Sequence, residues 1–271
     1  MWIPTLVATS LNLRIPRGCV ASDFKLSGEV ALSQLKFKPD IICNYEDMEN
    51  CDSDEYFQEL KPNYTRAAAT DDKQGRGVSC WVKKEYSIKK ILSMNSPHFM
   101  HVQITNSDGI ELNLIILRIL VSDSGIGDFK DRSVQWQKAM RYVDSLKGLK
   151  NIALVGDWNH GVIGDEKCYI GKSRQYFNYQ MIKRTLAIRD LEMVSMDGYS
   201  FKGFMTIDHL AVSPSISVEN ARYEDVYGMN VSTIGIPDHS FIVADLRIKE
   251  PKWRDGFSLD SPYRAMGCGI L

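Results

Sequence analysis

The stretch ALVGDWNHG, residues 153–161, runs an apolar segment into a glycine and then into an acid, an indole, an amide and an imidazole. Ile152 to Val155 reads as a buried strand, because short β-branched and aliphatic runs bounded by turn residues are strand signals. The four residues Asp157-Trp158-Asn159-His160 then admit two readings. Strands end in loops, and loops carry Gly, Asp and Asn because these types tolerate turn geometries. Alternatively, α/β sheets gather their ligand-handling side chains where strands run out. One segment leaves both readings open, so the test is whether the chain repeats the pattern.

Strand-length apolar runs recur at residues 6–8, 41–43, 78–82, 99–104, 112–117, 210–212 and 241–244. Helix-like segments lie between them. Residues 131–147 set Trp136, Met140 and Val143 on one stripe, with Gly148 just beyond the end. Residues 173–187 space Tyr176, Tyr179, Ile182 and Leu186 by three or four, and a shorter helix is expected over Glu29 to Leu35, stopped before Pro39. No linker or fixed repeat divides the chain. The expectation is one α/β domain over residues 1–249, followed by a turn-rich tail at 250–271.

The opening pattern does repeat. Leu6 to Leu11 leads to Asn12, Pro39 to Tyr45 leads to Glu46, Met205 to Ile207 leads to Asp208-His209, and Gly235 to Pro237 leads to Asp238-His239. Singly, each is an ordinary turn or surface residue. Together, five apolar segments deliver amide, carboxylate and imidazole groups, and that recurrence favours the chemical reading.

Composition sets bounds around this. The 271 residues are 44% hydrophobic and 25% charged, with a net charge of -1, so no overall basic field announces nucleic acid. The six cysteines (Cys19, Cys43, Cys51, Cys80, Cys168, Cys268) form no CxxC pair, and a chain of this length needs no disulfide staples. A reducing, cytoplasmic setting is expected. No apolar run is long enough to span a bilayer, and the N-terminal MWIPTLVATSLNL, which lacks a basic leader, reads as a first strand.

The ordered set resembles the endonuclease/exonuclease/phosphatase superfamily, which includes deoxyribonuclease I and exonuclease III. LVATSLN is similar to the family's first strand with its Asn, PDIICNYE to its PDIICLQE segment, GDWN to GDFN, TIDHLAVS to RIDYIFVS, and PDHSFIV to SDHxPV. These motifs span residues 3 to about 248. The resemblance implies an α/β (α+β) fold, a four-layered sandwich of two packed β-sheets flanked by helices, with one active site at an end of the sandwich. It implies a metal-dependent phosphodiester hydrolase, with Asn12, Glu46 and Asp238 as ligands of Mg²⁺ or Mn²⁺. These are hard oxygen donors of the kind such ions take.

By the same resemblance, Asp157 orients and deprotonates the attacking water, and Asn159 holds a phosphate oxygen or positions Asp157. His239 contacts the scissile phosphate, with Asp208 bonded to its other ring nitrogen. Whether Asp157 or His239 is the base stays open in the sequence. Arg14 and Arg17 after Asn12, and Lys172 and Arg174 after GDWN, are the candidate substrate contacts, because loops near the site must cover a phosphate backbone. The expected substrate is DNA or RNA.

Three departures qualify the pattern. The strand LNLIIL ends in Arg118, where much of the family has His or Tyr. Arginine is a poor general acid but a good phosphate clamp. The alternative for Arg118 is a plain ion pair with an acid such as Asp123. GFMTIDHL lacks the Trp-Cys-Asp-Arg signature of inositol 5-phosphatases, and Met205-Thr206 replaces the Trp-Arg common in abasic-site nucleases. Two other functions stay in view: a phosphatase or phosphodiesterase for a small molecule or lipid headgroup, and a non-catalytic binding protein.

Overall fold

The computed structural model describes residues 1–13, 26–48, 55–69, 77–93, 98–121, 128–163 and 174–249. Arg14, Arg17, Asp123, Lys172 and the tail at 250–271 lie outside them. Among the described residues, two six-stranded sheets pack face to face with helices outside, the four-layered α/β sandwich that the motifs implied.

The first sheet has the order β11(Ile216–Glu224), β12(Phe241–Ile248), β1(Thr5–Ser10), β2(Ile41–Asp47), β4(Gly77–Lys83), β3(Tyr64–Ala69). In the second the order is β5(Ser87–Ser93), β6(Phe99–Thr105), β7(Glu111–Leu117), β8(Ile152–Ile163), β10(Met205–Val212), β9(Glu192–Met193). Each sheet has one parallel pair at its centre, β1 with β2 and β7 with β8, and antiparallel pairs elsewhere. That arrangement decides where chemistry can sit. The C-terminal ends of both parallel pairs bring Asn12, Glu46, Arg118 and Asp157 to the same edges as the N-terminal ends of the antiparallel neighbours β10 and β12, which bring Asp208 and His239.

Between the sheets lies a dry layer that includes Leu6, Cys43, Val82, Val102, Leu114 and Leu210. On the outer face of the second sheet, helices α3(Asp128–Ser145) and α4(Arg174–Ala187) bury Trp136, Met140, Val143, Ile182 and Leu186 against Ile115, Leu154 and Trp158. On the first sheet, α1(Gly28–Leu35) and α2(Glu55–Leu60) cover Ile42 and Trp81 with Val30, Tyr56 and Leu60. The Ser27 hydroxyl caps α1 by accepting from Glu29 N–H at 3.2 Å.

One sequence expectation is corrected here. Asp157, Trp158, Asn159 and His160 do not follow the end of a strand. They lie within β8, which runs on to Ile163 because β10 continues to pair with it, Asp157 directly opposite Asp208. Trp158 and His160 face outward, fully buried, and Asp157 faces its carboxylate neighbour.

Candidate active site

Two interactions hold the sheets together at the working end. Arg118, just after β7, donates through Nη2 to Glu46 Oε1 on β2. Asp208 on β10 accepts through Oδ2 from His239 Nδ1, just before β12, at 2.8 Å. Each pair joins a residue of one sheet to a residue of the other, so the site is the seam of the sandwich.

Asn12, Glu46 and Asn159 all adopt positive φ, at 51°, 56° and 49°. Asn tolerates this region, but for Glu it is a strained conformation of the kind that collects at functional sites. Asn12 uses its amide nitrogen on two carbonyls, Ile236 O at 3.0 Å and Thr233 O at 3.1 Å. The Gly235 N–H returns a bond to Asn12 O at 2.9 Å. The end of β1 is thereby tied to the turn that precedes Asp238. Because both neighbours are acceptors, the amide orientation is fixed and its oxygen is the end left for a cation or a donor.

Asp157 is 3% exposed. Its Oδ1 accepts from Asn159 N–H at 2.9 Å, and its Oδ2 from Asn159 Nδ2 at 2.7 Å. The second hydrogen on that nitrogen goes to Ile119 O at 2.7 Å. Of the two roles open to Asn159, its donors are therefore committed to positioning Asp157. Burial pushes the Asp157 carboxyl up to about 7, reinforced by the Asp208 charge across the strands and opposed by His239 and Arg118.

His239 is also shifted upward, but by its charged neighbours. Burial alone would lower its pKa, but the charges of Asp208, Asp157 and Asp238 and the Asp208 bond raise it to about 10. It is a cation at neutral pH, braced by the Phe201 ring 4.5 Å away between centroids. Both shifts are upward, so both groups hold protons more tightly in the folded chain than in the unfolded one. Their contribution to stability is complete in acid and is lost as pH rises, through about 7 for Asp157 and about 10 for His239.

Asp238 stands with Oδ1 3.9 Å from His239 Nε2. Burial, with Glu46 adding to it, raises its pKa. Among the described residues its Oδ1 and Asp208 Oδ1 are buried without a hydrogen-bond partner, and the Tyr45 hydroxyl is buried beside Asp208. Burial, and then the Asp208 charge, holds that phenol well above its usual range.

Three contributors carry no sequence signal of their own. Ser10 donates to Glu46 Oε2 at 2.9 Å and accepts from Asn12 N–H at 3.1 Å. Ser200 Oγ accepts from Asp208 N–H at 3.1 Å, and Phe201 supports His239. Strand alternation could have suggested Ser10, two residues before Asn12; nothing marks the other two. Arg174, expected as a substrate contact, is the first residue of α4. Three lysines are occupied elsewhere: Lys83 with Asp40 at 2.7 Å, Lys90 with Ala68 O at 2.8 Å, and Lys183 over the Tyr179 ring.

The donor set does not fit a divalent cation at Glu46 as these side chains stand. Both Glu46 oxygens are taken, one by a guanidinium and one by Ser10. A dication about 4 Å from a guanidinium is repelled by roughly 8 kcal/mol at an effective dielectric of 20. Among the described residues, no group of three His, Cys, Asp or Glu side chains is arranged to hold a metal. Without Glu46, the pair Asn12 and Asp238 would leave most of a Mg²⁺ shell to water and substrate oxygens.

No protein-family model matches the sequence, and no curated protein matches it. Solved structures do match its shape. A Bacteroides vulgatus endonuclease/exonuclease/phosphatase is 13% identical, with 92% of this chain covering 100% of that one at a TM-score of 0.64. A Bacteroides thetaiotaomicron protein of the same description is 18% identical over 92% and 100%, with a TM-score of 0.62. The endonuclease domain of TRAS1, a telomere-specific non-LTR retrotransposon, is 14% identical over 92% and 100%, at 0.59. Truncated Caenorhabditis elegans TDP2 is 13% identical over 90% and 97%, at 0.61. At such identities the likeness is one of fold, and the fold of this chain is that of the endonuclease/exonuclease/phosphatase structures.

Proposed function

We infer that the protein is a phosphoester hydrolase, with the phosphodiester backbone of DNA or RNA as its substrate. The observation that carries this is the pairing of two buried groups at the seam: Asp157, poised near neutrality and held by Asn159, and His239, kept cationic by Asp208. Around neutral pH the two groups hold different protonation states, Asp157 able to take a proton and His239 already carrying one, and that difference marks out base and electrophile. Asp157 is the base that takes a proton from the attacking water, because His239 at about 10 has no free lone pair to offer at neutral pH.

His239 and Arg118 then face the charge that builds on the phosphoryl oxygens. Among the described residues, Nε and Nη1 of Arg118 are buried with no hydrogen-bond partner, a guanidinium edge suited to phosphate oxygens. Asp238 and the Asn12 amide border the same place. The magnesium or manganese dependence implied by the motifs is no part of this reading, since Glu46 is held by Arg118. Matching structures described as an endonuclease domain and as TDP2 support phosphoester chemistry on this fold and favour nucleic acid over a small phosphoester.

A pH profile tests the assignment of base and cation. The rate requires Asp157 ionised and His239 protonated. kcat/KM is expected to rise with pH through about 7 and fall above about 10. Asp208→Asn removes the main charge holding the proton on His239, so its alkaline limb should move down in pH. An unmoved alkaline limb in that variant would contradict the pairing.

A further inference from the structure

We propose that Arg118 is the resident cation of the Glu46 carboxylate and keeps divalent metal ions from binding there. This deepens the reading of the site as a phosphoester hydrolase, but its test does not require turnover.

Arg118 is 5% exposed and Glu46 8% exposed, so their contact is largely shielded from water. The backbone that carries Arg118 is anchored: its own N–H donates to His98 O at 2.8 Å, and the next residue's N–H, on Ile119, donates to Asp157 O at 2.9 Å. Nε of Arg118 stands 3.9 Å from Asp157 Oδ2, and neither Nε nor Nη1 has a hydrogen-bond partner among the described residues. Ser10 occupies the second Glu46 oxygen and is itself held by Asn12 N–H. Both Glu46 carboxylate oxygens thus already accept a hydrogen bond within the chain, one of them from a cation.

The same arrangement states what Arg118 lacks. Buried N–H groups without an acceptor are costly until an acceptor arrives. An anion with several oxygens, such as a phosphoryl group, meets that need, and a second cation at Glu46 worsens it. Arg118 therefore joins two tasks, neutralising Glu46 and presenting two free donors to an incoming phosphate.

Mn²⁺ titration followed by electron paramagnetic resonance, on wild type, Arg118→Met, Glu46→Gln and the double variant, decides the matter. Arg118→Met keeps the apolar stem and removes the charge. Its Mn²⁺ affinity is expected to exceed that of wild type by about tenfold or more, the scale on which immediate neighbours tune metal sites. The gain should vanish in the Arg118→Met/Glu46→Gln double variant. Mn²⁺ should raise the melting temperature of Arg118→Met and leave that of wild type unmoved.

If Arg118→Met does not fold, Glu46→Gln answers alone. It is expected to bind Mn²⁺ as weakly as wild type does. Wild type binding Mn²⁺ as tightly as Arg118→Met, or tight wild-type binding lost in Glu46→Gln, would overturn the proposal. Neither result bears on whether the protein cleaves phosphoesters.

Discussion

Asp157→Asn is expected to lower turnover on a phosphoester substrate by about 10²–10⁴-fold, the usual contribution of a positioned base. The fold should survive. The substitution costs the hydrogen bond from Asn159 Nδ2, worth about 1 kcal/mol. It also removes a carboxylate whose ionisation is opposed by burial and by Asp208 across the strands. These effects offset, so cooperative melting should remain within a few degrees of wild type while the rate collapses. Near-wild-type rates would remove Asp157 from the chemistry.

The second large effect is structural. Gly156 has φ of 148°, and a Cβ there would stand 1.9 Å from Leu117 O, a backbone atom of the neighbouring strand. No side-chain rearrangement relieves such a contact; β8 would have to part from β7. Overpacking and backbone strain together predict that Gly156→Ala destabilises the protein by roughly 3–5 kcal/mol, measured by urea denaturation. Activity should fall even where the variant folds, because Leu117 and Gly156 adjoin Arg118 and Asp157. Gly148→Ala is the control. Its glycine also has positive φ, at 97°, but nothing lies within 4 Å, so only the milder conformational cost applies. A Gly156→Ala midpoint within about 0.5 kcal/mol of wild type would contradict the close approach of the strands.

Much of this was legible before any coordinates. The central strands of both sheets were readable because each is buried on both faces and so appears as a continuous apolar run. The strands missed were β3, β5, β9 and β11, which are the four edges of the two sheets. Edge strands face solvent and carry polar side chains; β11, ISVENARYE, buries only its first residue. Their signal is diluted by the exposure that makes them edges.

The site residues were legible as types in order, but not as an arrangement. Nothing in GDWN indicates that β8 continues past it, since that depends on β10 pairing opposite Asp157. Nor could the sequence say which partner Arg118 takes. Glu46 lies 72 residues away on the other sheet, and their contact exists only because the sheets meet at that seam. Positive φ at Glu46 is likewise invisible in a residue type that rarely adopts it.

The central claim is hydrolysis of a phosphodiester backbone by the Asp157–His239 seam. The most direct measurement is cleavage of labelled single-stranded DNA, duplex DNA and RNA by wild type beside Asp157→Asn, each in Mg²⁺, in Mn²⁺ and in EDTA. Wild type is expected to cleave at least one of these and Asp157→Asn to lose that cleavage, with product lengths that report endo- or exonucleolytic action. Cleavage at equal rates by both proteins, or cleavage of none of the three substrates under any of these conditions, would contradict that claim.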